Sequence, residues 1–129
     1  MIDYLGIYKV LLESISTGSE SDFQSLLDSI TKEKSILELR EKIGDEKASL
    51  YLQDMVQDFI NIGLVVGAVT PADGGRLFYL DRLTPQGYLQ LQQFEKKSTI
   101  EKLKSFAKKD GIAPTPANIT KLLATLMWD

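Results

Sequence analysis

Ile62-Gly63-Leu64-Val65-Val66-Gly67-Ala68-Val69, then Thr70-Pro71-Ala72-Asp73-Gly74-Gly75, then Arg76-Leu77-Phe78-Tyr79-Leu80, then Leu83-Thr84-Pro85-Gln86-Gly87-Tyr88, is the stretch on which the fold turns. Residues 64–69 and 76–80 are rich in β-branched and aromatic side chains, and the segment between them is turn chemistry. The pair predicts a β-hairpin over about 64–83 with a loose tip at 70–75. Gly63 stops a helix in front of it. Thr84-Pro85 starts another behind it, a hydroxyl cap followed by proline at the first helical position, with Tyr88, Leu89, Leu91 and Phe94 as its apolar contacts.

Upstream, the apolar period lengthens to that of helices. Leu52, Met55, Phe59 and Ile62 form one stripe of a helix from about Glu46 to Ile62, with Asp54 and Asp58 off it. Ile36, Leu37, Leu39 and Ile43 predict a shorter helix closed by Gly44 in a left-handed cap. Phe23, Leu26, Leu27 and Ile30 predict another, which Ser21 would cap with Gln24 as its capping-box partner. Leu5, Tyr8, Leu12 and Ile15 mark the first. Downstream, Ser98 and Glu101 suggest a capping box before Ile100, Leu103, Phe106 and Ala107. Asp110-Gly111 ends that helix, and Pro116 opens a last one carrying Ile119, Leu122, Leu123, Leu126, Met127 and Trp128.

This order predicts a mainly α fold with a two-stranded β-hairpin wing: a winged helix-turn-helix with additional C-terminal helices. Helices 36–43 and 46–62 take the helix-turn-helix positions. The winged-helix domain spans 1–97, and 98–129 is a C-terminal helical extension that packs on it or forms a dimer contact. Tyr51-Leu52-Gln53-Asp54-Met55-Val56, Ile62-Gly63-Leu64-Val65, Arg82-Leu83-Thr84-Pro85-Gln86-Gly87-Tyr88 and Leu91 resemble the YjcQ-like winged-helix family. Its members are small, often phage- or plasmid-associated, and mostly of unknown function. The resemblance covers about residues 34–94 and implies an architecture. It transfers no catalytic residue.

Composition narrows the chemistry. The 129 residues have the size of one domain, with 43% hydrophobic and 26% charged residues, the ordinary globular balance. Cysteine and histidine are absent, which excludes disulfides, thiolate nucleophiles, imidazole bases and zinc sites built on nitrogen or sulfur. No apolar run approaches the roughly 18–20 residues of a membrane span, and Met1-Ile2-Asp3-Tyr4 lacks the basic start of a signal peptide, so a cytoplasmic location is expected. Net charge is −3, divided unevenly: residues 1–63 are net −6 and residues 85–129 net +3. Such asymmetry can orient a small domain on a charged partner.

Three groups of residues are candidates for contact. Asp45, Glu46, Asp54 and Asp58 make helix 46–62 acidic, suited to a basic protein surface or to mimicry of nucleic acid. The plain alternative has Asp45 capping the helix and Glu46 complementing its dipole. A DNA-reading role would instead use Lys47, Gln53 and Gln57 on that helix, Arg76 and Arg82 on the hairpin, and Lys104 and Lys108 in the only basic cluster. Solvated faces explain the same residues without a ligand. Leu122, Leu126, Met127 and Trp128 form either a core-completing face or a homodimer contact. Asp54 and Asp58, four residues apart, lack a third ligand for a divalent ion, and Gly74-Gly75 lacks the following lysine of a phosphate loop. The expectation is therefore a non-enzymatic regulatory or accessory module without cofactor, metal or membrane, binding a protein partner. The alternative is a dimeric sequence-specific DNA-binding transcriptional regulator.

Overall fold

The computed structural model describes residues 2–19 and 21–128, with the backbone alone for Asp110, Met127 and Trp128. Seven helices and one hairpin are present among the described residues: α1 (Tyr4–Ser16), α2 (Phe23–Ile30), α3 (Lys34–Ile43), α4 (Asp45–Asn61), β1 (Val65–Ala72), β2 (Gly75–Leu83), α5 (Pro85–Phe94), α6 (Lys97–Asp110) and α7 (Pro116–Trp128). The protein is thus mainly helical with a two-stranded antiparallel sheet.

α1 is the centre of the core. Ile7, Tyr8, Leu11, Leu12 and Ile15 are all buried, on more of the helix circumference than one face provides. The stripe Leu5, Tyr8, Leu12, Ile15 is therefore only part of its packing. α1 meets α2, α3, α5 and β2, so it is covered on several sides. Tyr8 packs edge-to-face against Phe59 of α4 and at a tilt against Phe94 of α5, with ring centroids 4.8 and 4.9 Å away. Leu103 of α6 and Ile119 and Leu123 of α7 join the same core cluster. The main neighbours of α7 are α4, α5 and α6.

Several local expectations are corrected by cap geometry. α2 is capped by Asp22, whose carboxylate accepts from the Ser25 amide at 2.8 Å. Ser21 instead offers its carbonyl to the Leu80 amide of β2 at 2.8 Å. α3 begins at Lys34, two residues before its first apolar position. Gly44 joins α3 to α4 with no further linker residue, at φ 86° and ψ 161°, a conformation open essentially to glycine alone. Asp45 is therefore the first residue of α4 and does not cap it. α6 begins at Lys97 behind Lys96, without a side-chain cap, so Ser98 lies inside the helix and forms no capping box.

The hairpin is longer and tighter than its sequence suggests. Ala72 pairs with Gly75, leaving only Asp73-Gly74 as the tip, and Pro71 lies within β1 opposite Arg76. Proline is tolerated there because each strand of a two-stranded sheet has an edge that needs no N–H donor. The register shifts between Val66 and Gly67, with Asp81 the extra residue on β2. At the neck, the Thr84 hydroxyl donates to the Gly63 carbonyl at 2.6 Å and accepts from the Gly87 amide at 3.1 Å. One side chain thus closes the hairpin and caps α5.

Candidate functional site

α4 buries Ala48, Leu52, Met55, Val56 and Phe59, and this inward stripe sets what the helix shows outside. Leu50, Asp54 and Gln57 follow one another at steps of four and three along an outer stripe. Leu50 is half exposed. From the hairpin, Arg76 reaches this stripe. Its Nη1 donates to Asp54 Oδ1 at 2.9 Å and to Gln57 Oε1 at 2.7 Å. The guanidinium carbon also stands 5.9 Å from the centre of the Phe78 ring. A residue proposed for protein contact, Asp54, and two proposed for DNA contact, Gln57 and Arg76, therefore meet one another inside the molecule.

The remaining acidic residues differ in their surroundings. Asp45 accepts from Arg40 Nε at 2.9 Å, and this hydrogen bond, then the charge of Arg40, holds its carboxyl below the usual carboxylate range. Asp58 is pushed the other way, first by desolvation and then by the nearby Asp54. Glu46 is exposed and has no ion-pair partner among the described residues. Lys47 is exposed beside it. Gln53 donates to the Ser49 hydroxyl at 3.2 Å.

On the hairpin, Arg82 pairs with its neighbour Asp81 at 2.6 Å. The outer face holds a feature the sequence reading missed: Leu77 and Tyr79 are 64% and 57% exposed, two positions apart on β2. Their partners across the ladder, Thr70 and Ala68, are exposed as well. The run Arg76-Leu77-Phe78-Tyr79-Leu80 is apolar at four consecutive positions, which hides the outward face. Alternation from the buried Phe78 and Leu80 was the signal available.

Lys104 and Lys108 stand one turn apart on α6, exposed and without an ion pair among the described residues. They lie beside the first turn of α1 and beside α7. Leu122 and Leu126 are half-buried and pack against the core. The side chains of Met127 and Trp128, the other two residues of the expected dimer contact, lie outside the described residues. Among the described residues no group of three or more carboxylates could hold a metal ion, and no helix is long and apolar enough to cross a membrane.

No family model matches the chain, and neither the curated proteins nor the solved structures give a match. The candidate site therefore rests on its own geometry: an acidic, partly apolar face of α4, fastened to the hairpin by Arg76.

Proposed function

We propose that the chain is a winged helix-turn-helix module of the YjcQ-like kind, with α3 and α4 as the helix pair and the hairpin as the wing. In this reading it acts as a non-enzymatic regulatory or accessory protein by binding another protein through α4 and the hairpin. The observation that carries it is the Arg76 clamp. Both hairpin arginines are already paired with carboxylates, Arg76 with Asp54 as well as Gln57 and Arg82 with Asp81, and Asp45, Glu46 and Asp58 lie along the same helix as Asp54. A duplex approaching this face would meet carboxylates, which repel phosphates. A protein with a basic rim would find complementary charge here together with the exposed Leu50.

The test compares wild-type protein with a Glu46→Lys/Asp58→Lys variant, because neither residue is tied into an ion pair among the described residues. Affinity purification from the source cells should recover a partner with wild type and lose it with the variant, whose folded state is checked by circular dichroism because removing the Asp58 carboxylate itself shifts stability. In parallel, labelled duplex DNA is titrated at low and moderate salt. Saturable DNA binding that falls steeply with salt, from a dimer, would replace the protein-partner reading with the DNA-regulator one.

A further inference from the structure

Away from α4, the first turn of α1, one side of α6, the 112–114 connector and α7 border an open, solvent-facing cavity of about 700 Å3. Its walls are apolar, with Leu5, Leu103, Ile112, Ile119 and Leu122 among them. Sites of roughly 300–1,000 Å3 with mostly apolar walls and a few converging polar groups are the usual form of small-molecule pockets. The polar groups here are specific. Lys104 and Lys108 both line the cavity, their exposed ammonium groups one helical turn apart and free of ion pairs among the described residues. Among the described residues the one carboxylate in the lining, Asp3, also caps α1, accepting from the Gly6 amide at 3.0 Å.

We propose that this cavity binds a single-chain amphiphile with an anionic head, of the class of medium-chain carboxylates. The tail lies among the leucines and isoleucines, and the head meets Lys104 and Lys108 at the rim. Apolar burial drives uptake. The two lysines select the head, because charge-assisted hydrogen bonds to a carboxylate are stronger than those to a neutral hydroxyl, and their aliphatic stems extend the apolar wall. The ligand would brace α1 against α6 and α7, which lie far along the chain from it. The inference does not depend on what α4 binds.

Decanoate, below its micelle concentration, is titrated into the full chain by calorimetry, with decanol and decyltrimethylammonium as neutral and cationic counterparts. Decanoate should bind saturably at a single site, with the cationic analogue weaker by at least about tenfold. Lys104→Glu/Lys108→Glu changes only exposed side chains, so it should melt like wild type and lose decanoate affinity by a similar factor. Ala107→Trp, which fills the hollow from one wall, should abolish uptake. The absence of saturable uptake, equal affinity for all three head groups, or unchanged affinity in the double lysine variant would each overturn the proposal. A decanoate-insensitive dimer, seen by light scattering and broken by Ala107→Trp, would assign the hollow to a second copy instead.

Discussion

Gly87 packs so closely that a methyl added to it would stand 2.2 Å from the Leu64 carbonyl oxygen. Two effects oppose each other in Gly87→Ala. Helix propensity favours alanine by about 1 kcal/mol, whereas overpacking against a backbone atom costs about 1–3 kcal/mol. The obstruction is a carbonyl that cannot rotate away, so the clash wins, and urea denaturation should show a net loss of stability. Gln90 is the second position of this kind. It accepts from the Tyr8 hydroxyl at 2.6 Å and donates to Thr120 at 2.8 Å, linking α1, α5 and α7 by a buried relay. Gln90→Leu strands the Tyr8 hydroxyl and should cost about 1–3 kcal/mol. Adding Tyr8→Phe should recover part of that loss, which a double-mutant cycle would read as coupling. Thr84 was legible as a cap because its partner is three residues away. Gln90 was not, because its partners lie 82 and 30 positions distant and nothing local distinguishes it from a surface glutamine.

The hairpin depends on one irregularity. Had the alternation of Phe78 and Leu80 continued unbroken, Arg82 would face the core. Asp81 is the extra residue that resets the phase, leaving Asp81 and Arg82 exposed and burying Leu83. The pattern Leu80-Asp81-Arg82-Leu83, two polar residues between two apolar ones, carried that signal. The tip was harder to place, because Thr-Pro-Ala-Asp-Gly-Gly is turn chemistry throughout and only pairing assigns its first half to β1. Arg76 fastens the hairpin to α4, but its partner Asp54 is 71% exposed at the side chain, so the ion pair itself contributes at most about 1 kcal/mol. Arg76→Ala should therefore leave global melting nearly unchanged while amide exchange in β1 and β2 accelerates. Added salt should reproduce part of that acceleration in wild type.

Across the whole molecule, the titrating groups push stability in different pH windows. Asp22 is held low by hydrogen bonds from Ser25 and Asp45 by Arg40. Their contribution is present above the ordinary carboxylate range and is lost as pH falls through their lowered values. Asp58 has the opposite sign. Its carboxyl is raised by burial and by Asp54, so its contribution is full when protonated and lost as pH rises. Asp58→Asn should thus raise the melting temperature at neutral pH, and the gain should vanish in acid. Burial raises Tyr8 far above a free phenol, so its share of stability holds below the ordinary phenol range and fades in alkali. The absorbance difference between wild type and Tyr8→Phe should show Tyr8 ionising only as the protein unfolds. At this scale the helix count and the hairpin were legible from periodicity and punctuation. The central place of α1 was not, since Ile7 and Leu11 gain meaning only once β2 and α5 surround them. The buried relay also sets an order of events during synthesis. α1 leaves the ribosome long before α5 and α7 exist, so a helix apolar on most of its surface waits for partners still untranslated. Through that interval its apolar surface faces solvent, the condition that makes transient intermediates aggregation-prone. A nascent chain stalled before Gln90 would be a ready substrate for quality-control proteases.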